Sequence, residues 1–76
     1  MTDKYLITVL PKNEVSDPQG EAILDSAHAL GYPEIRSIRA GRSFLIETDG
    51  DPNRIAEISD KLLANPIVER FEVKAL

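Results

Sequence analysis

The chain has no cysteine and no tryptophan, one histidine and one methionine, so it lacks most of the groups small proteins use for stapling, metal capture or nucleophilic attack. Without cysteine there is no disulfide framework, no thiolate zinc site and no thiol nucleophile. Two tyrosines and two phenylalanines are too few and too scattered for an aromatic stacking platform, and a net charge of −4 opposes a phosphate backbone. No nucleic-acid partner is expected. No apolar run approaches the roughly 20 residues of a membrane span, and the first ten residues lack the basic start and long apolar core of a signal peptide. The expectation is a cytoplasmic protein with no membrane partner.

What is present fits one small domain, 1–76, with 42% hydrophobic and 29% charged residues and no long polar tract. A chain this short buries only about 60% of the surface its unfolded form exposes, so it gains from association.

The first apolar run, Tyr5-Leu6-Ile7-Thr8-Val9-Leu10, reads as a strand stopped by Pro11, apolar on both parities and therefore in need of cover on both faces. After a polar connection, Asp17-Pro18 supplies an N-cap acceptor followed by proline in the first helical turn. Ile23, Leu24, Ala27 and Leu30 recur at helical spacing, and Gly31 is a left-handed stop. Gly20 lowers helix propensity by up to about 1 kcal/mol relative to alanine, which points to close packing there.

Residues 34–40 and 42–48 read as two strands of a hairpin turning at Ala40-Gly41, with Gly41 supplying a positive φ and with Phe44 and Ile46 facing the core. Asp51-Pro52 repeats the helix opening, Ile55, Ile58 and Leu62 mark a buried stripe, and Asn65-Pro66 ends the helix. Residues 67–76 form a last strand with Phe71, Val73 and Ala75 inward and Arg70, Glu72 and Lys74 outward. The order is βαββαβ, two split β-α-β halves in the ferredoxin-like arrangement: an α+β fold with a four-stranded antiparallel sheet, ordered 4-1-3-2, and both helices on one face. The other face would carry Leu6, Leu10, Leu45 and Val68 as an apolar patch, predicting a homodimer or higher assembly through the sheet face or the strand edges.

Chemistry is sparse. His28 has no nucleophile or orienting acid at a useful spacing and reads as a surface or interface residue. Glu47, Asp49 and Asp51 lack the alternating oxygen ligands of a calcium loop, and the four glycines match no nucleotide-binding fingerprint. No catalytic, cofactor-binding or metal-ligating residue is assigned. Arg36, Arg39 and Arg42 crowd the hairpin, where Arg39 and Arg42 could hold a phosphate, a carboxylate or an acidic surface, or simply face solvent.

The strings Lys12-Asn13-Glu14-Val15-Ser16-Asp17-Pro18-Gln19-Gly20, Leu30-Gly31-Tyr32, Ile38-Arg39-Ala40-Gly41-Arg42 and Leu62-Leu63-Ala64-Asn65-Pro66-Ile67-Val68-Glu69 resemble the PurS family nearly end to end. PurS is the small subunit of phosphoribosylformylglycinamidine synthase. The resemblance implies a non-catalytic assembly subunit. Its dimer would bridge an ATP-dependent synthetase subunit and a glutamine amidotransferase subunit, so that glutamine-derived ammonia converts formylglycinamide ribonucleotide to formylglycinamidine ribonucleotide in de novo purine biosynthesis. ATP, magnesium and glutamine would serve the complex, and none would be held by this chain. Arg39, Gly41, Arg42, Asn65 and Pro66 are the partner-contact candidates; Arg42 stands where many relatives carry lysine. The competing readings are a free-standing ferredoxin-like regulatory module with a small ligand at its dimer interface, and an independent small enzyme, which would need turnover by the isolated chain.

Overall fold

The described residues, 2–76 of a computed structural model, form β1 (Asp3–Pro11), α1 (Pro18–Ala29), β2 (Arg42–Thr48), α2 (Asn53–Ile58) and β3 (Glu69–Ala75). A π-helical turn, Ser59–Leu63, continues α2. The apolar run of β1 makes it the central strand, antiparallel to both neighbours in the order β2-β1-β3. Tyr5 stands opposite Ile46 and Ala75, Ile7 opposite Phe44 and Val73, and Val9 opposite Arg42 and Phe71. Directly opposed residues share a face, so this register gathers the inward sets predicted for all three strands onto one side. Onto it α2 lays Ile55, and the chain beyond the π-helical turn lays Ala64, with Leu63, Phe44, Ile46 and Phe71 packed around them. Ile7 and Val9 are fully buried, each contributing roughly 1.5–3 kcal/mol by leaving water.

The helix punctuation follows the sequence. Asp17 caps α1 through the Gly20 N–H, with Pro18 in the first turn. At the other end Gly31 has φ 100°, its N–H reaches the His28 carbonyl, and the Tyr32 N–H reaches the Ala27 carbonyl. This pair of bonds is a Schellman stop. Asp51 accepts the Asn53 N–H as α2 opens, and Ala64 turns to extended backbone just before Asn65-Pro66.

The predicted hairpin does not form. Glu34 lies in a turn and residues 35–40 pair with no strand, so among the described residues the sheet has three strands, not four. Their polar contacts go to α1 instead: His28 Nε2 donates to the Ile35 carbonyl at 2.8 Å, the Ile38 carbonyl packs on Gly20, and the Ala40 N–H donates to Asp17 at 2.7 Å. Gly20 is therefore required for close packing, as its cost in the helix suggested. Gly41 is not a left-handed turn residue, since Gly31 is the one described glycine with positive φ. A Cβ at position 41 would run into the Val9 carbonyl, so here glycine permits β2 to start against β1.

Nor do both helices lie on the sheet. α1 and residues 35–41 project together from its end as an arm, and α1 has no extensive contact with the sheet or α2. Gly20 is its one buried residue; Ile23 and Leu30, half of its apolar stripe, are 44% and 77% exposed. The chain measures 47 × 26 × 14 Å with a radius of gyration of 15.5 Å, against about 11 Å for a compact chain of this length. Its exposed surface is 5647 Å², roughly 1,000 Å² more than a folded monomer of 8.4 kDa should show.

If Gly41 answers to close approach rather than to turn geometry, Gly41→Asn, which tolerates positive φ, should destabilise by about 1–3 kcal/mol in chemical denaturation. Gly50→Ala, whose added Cβ meets only Thr48 Oγ1 at 3.3 Å, should shift stability far less. Equal effects would return Gly41 to a turn role.

Candidate functional site

Two carboxylates organise the polar side chains. Asp17 is 6% exposed and lies where β1 gives way to the arm. Its Oδ1 accepts the Gly20 N–H at 3.1 Å and its Oδ2 the Ala40 N–H at 2.7 Å, binding the start of α1 to the returning segment. Arg39 locks the same junction: Nη2 donates to the carbonyls of Lys12 at 2.8 Å and Val15 at 2.7 Å, while its Nε is buried without a partner. The Ala40 and Gly20 N–H groups, with the Arg39 charge behind them, hold the Asp17 carboxyl below its ordinary range.

The second hub sits at the same end of the sheet. Arg42 and Glu69 both occupy the core face, on either side of β1. Their fork is bidentate, Nη1 to Oε2 at 2.7 Å and Nη2 to Oε1 at 2.9 Å. Nη2 also donates to the Leu63 carbonyl at 2.8 Å, and Glu69 Oε1 accepts the Asn65 N–H at 2.7 Å. The guanidinium carbon lies 5.9 Å from the Phe44 ring centre. One ion pair therefore joins both outer strands to the exit of α2, closing the end of the apolar core. Arg42 first, then the Asn65 N–H, lowers the Glu69 carboxyl, and Glu69 in turn raises the Arg42 guanidinium.

These contacts locate the residues singled out in the sequence. Arg42, Asn65 and Pro66 come together around Glu69, with Pro66 exposed; Arg39 and Gly41 lie at the arm's root, engaged with their own chain. On the open sheet face Leu6 and Leu10 are half-buried and Leu45 is 62% exposed, among Lys4, Thr8, Ser43, Glu47, Arg70, Glu72 and Lys74. Val68 stands apart from them in the turn before β3. Sequence reasoning missed Glu69, whose signal was a lone acid at the start of a strand, and it missed the second hydrogen bond of Asp17. Among the described residues no group of three or more His, Cys, Asp or Glu side chains could hold a metal ion, and no helix is long and apolar enough to cross a membrane.

A groove of about 520 Å³ runs between β2 and α2. Ile46, Ile55 and Ile58 form its apolar floor, with Thr48, Arg54 and Lys61 at the rim. A right-handed crossover between β1 and a strand outside β2 would place a helix there. In this chain α1 points elsewhere.

An α+β module whose charged groups hold its own chain together, while apolar stripes on both helices stand open, has the construction of an assembly subunit. Residues 4–76 match the PurS family, phosphoribosylformylglycinamidine (FGAM) synthase. The chain is similar to phosphoribosylformylglycinamidine synthase subunit PurS of Mycobacterium leprae, 34% identical over 72 residues, 92% of this chain and 91% of that one. Its fold matches Bacillus subtilis PurS with TM-score 0.83 and 30% identity, and a chain of Thermotoga maritima PurLQS with TM-score 0.89 and 27% identity, in both cases over 100% of this chain and 99% of the other. The chain belongs to the PurS family and is a subunit of FGAM synthase, a ligase of purine biosynthesis.

Because both hub carboxyls titrate below their ordinary range, their contribution is present above the unfolded-chain values near pH 4 and is lost as pH falls through the lower folded values. Thermal stability of the wild type should fall as pH drops below about 4. An Asp17→Asn/Glu69→Gln variant should be less stable at pH 7, with a flatter profile. Arg42→Lys, which loses the fork but keeps the charge, should lower Tm by roughly 5 °C; an unchanged Tm would mean that charge alone suffices.

Proposed function

We propose that this chain is the non-catalytic assembly subunit of the FGAM synthase complex. It bridges an ATP-dependent synthetase and a glutaminase so that glutamine-derived ammonia reaches formylglycinamide ribonucleotide and yields formylglycinamidine ribonucleotide. ATP, magnesium and glutamine serve the partner subunits, not this chain. The observation that carries the reading is the end-to-end match to PurS together with the likeness to a chain of the PurLQS assembly. The regulatory-module alternative is not favoured by that match.

The working unit in this reading is a homodimer formed by exchange of arms. The α1 stripe of Ile23, Leu24, Ala27 and Leu30 enters the second copy's groove against Ile46, Ile55, Ile58 and Leu62. Residues 35–40, in which Arg36, Ser37, Ile38 and Arg39 make no backbone hydrogen bond among the described residues, add a fourth strand along its β2 edge. That would rebuild the ferredoxin-like βαββαβ layers between two chains, a four-stranded sheet with two helices on one face. Ile58 and Leu62, 42% and 71% exposed, are the predicted α2 stripe left bare for want of α1. The surplus exposed surface, about 1,000 Å² per chain, meets the roughly 800 Å² per partner of a standard interface. Leu6, Leu10 and Leu45 lie on the opposite face, outside this interface. Exposed Pro66, beside the Arg42–Glu69 pair, is left at the rim for the other subunits, with Asn65, Gly41 and Arg39 shaping the backbone beneath it.

In the reconstituted complex, omitting this chain should abolish glutamine-driven FGAM formation and spare the reaction driven by free ammonia. Unchanged glutamine-driven activity would overturn the bridging role. Ile58→Glu should give a species of single-chain mass in sedimentation and impair glutamine-driven activity at least about tenfold, whereas Leu45→Glu on the opposite face should change neither. The reverse pattern would move the interface to the open face.

A further inference from the structure

The root of the arm has a sequence that can close on itself. In a common three-residue hairpin loop, a type I turn is followed by a glycine in the left-handed region, and Arg39-Ala40-Gly41 has that form. A right-handed crossover would then lay α1 in the groove of its own chain, beside Ile46, Ile55 and Ile58. The apolar contacts of such a closed monomer are those the arm would make in a second copy. Exchange of an identical element leaves its contacts the same, so the hinge and the protein concentration decide between the two forms.

The hinge is held open. Gly41 does not take the positive φ the loop needs, and its backbone lies where a Cβ would collide with the Val9 carbonyl. The Asp17–Ala40 bond does not choose between the forms, because it lies inside the arm and can travel with it. Arg39 is different. Its Nη2 donates to the Lys12 carbonyl at 2.8 Å and to the Val15 carbonyl at 2.7 Å. Lys12 is itself fixed to the sheet, its N–H on the Val68 carbonyl at 2.9 Å. Arg39 therefore reaches from the arm to the body, across the two connections about which the arm would swing. Its Nε is buried without a partner, so the side chain forgoes a hydrogen bond that a solvated arginine would keep. Closing the loop would put Arg39 and Ala40 in the helical region and swing residues 35–38 back along β2, which pulls the guanidinium off the Lys12 carbonyl.

We propose that Arg39 is the lock of a two-state hinge. With its guanidinium on the Lys12 and Val15 carbonyls the arm points outward and enters a second copy; without it the chain closes on itself as a folded monomer. The lock rests on the arm exchange proposed above and assigns the preference for exchange over closure to one side chain. Apolar burial drives both forms alike and cannot make that choice.

Paired thiols separate the two forms, and the native chain has no cysteine to interfere. Ala27→Cys on the arm and Lys61→Cys at the groove rim are introduced together in the full chain and bridged with a short bifunctional maleimide at micromolar concentration. With Arg39 in place, the bridge should join two chains. In the Arg39→Ala background it should fall within one chain, with the helix signal in circular dichroism retained. In sedimentation without the thiols, Arg39→Ala should raise the concentration at which half the chain is dimeric at least about tenfold, and Arg39→Gln, which keeps a donor, should fall between. Two-chain bridging in both backgrounds would overturn the lock and leave arm exchange standing. No two-chain bridge with Arg39 in place would overturn arm exchange and the lock with it. Loss of helix signal in both Arg39→Ala and Arg39→Gln would also overturn the lock, since Arg39 would then maintain the arm's fold and not its direction.

Discussion

The shape of this chain depends on a single carboxylate. Asp17 accepts one N–H from the first turn of α1 and another from Ala40, so the helix and the returning segment are fastened to each other away from the sheet. Arg39 fixes the loop beneath them. With both ends of the arm held at the tip of β1, α1 is carried beyond the sheet. The bare stripe on α2, the groove beside Ile46 and the surplus surface are consequences of that placement. A polar latch therefore settles where the apolar stripe of α1 can make its contacts.

The sheet itself is finished by a different device. β1 buries Tyr5, Ile7 and Val9 under one helix only, a core too small to hold its own edges. The Arg42–Glu69 fork spans the central strand and ties the helix exit through the Leu63 carbonyl and the Asn65 N–H. It gives the three-stranded unit a rigid end at which the arm begins. The sheet body and the arm thus meet between Ala40 and Arg42, where glycine allows a close approach to the Val9 carbonyl.

The local grammar was legible in the sequence. The Asp-Pro opening of α1, the Gly31 stop, the Asn65-Pro66 break and the inward sets of the three strands depend on nearest neighbours and period, and each stands where the residues placed it. The pairing of residues 34–40 was not legible, because that depends on whether a neighbouring edge is within reach. Gly41 illustrates the limit: a glycine between two extended runs signals a turn, yet this one serves the Val9 carbonyl in a strand distant in sequence. The Arg42–Glu69 fork was invisible for the same reason, since 27 residues separate partners whose meeting requires the sheet register. The family strings carried the function, and they fall in the loops and helix ends around these hubs, which composition and periodicity do not weigh.

Such a chain has little use as a monomer: its polar groups are engaged internally and its apolar groups stand open. Shared folding between copies, as proposed, would let the bridge present its surfaces to its partners only when complete. If the arm completes a second copy, folding and association are one equilibrium. Chemical unfolding followed across a thousandfold range of protein concentration tests this most directly. The account predicts that the midpoint rises with concentration and that loss of helix signal coincides with loss of dimer. A midpoint independent of concentration, with a folded species of 8.4 kDa at the lowest concentration, would contradict it.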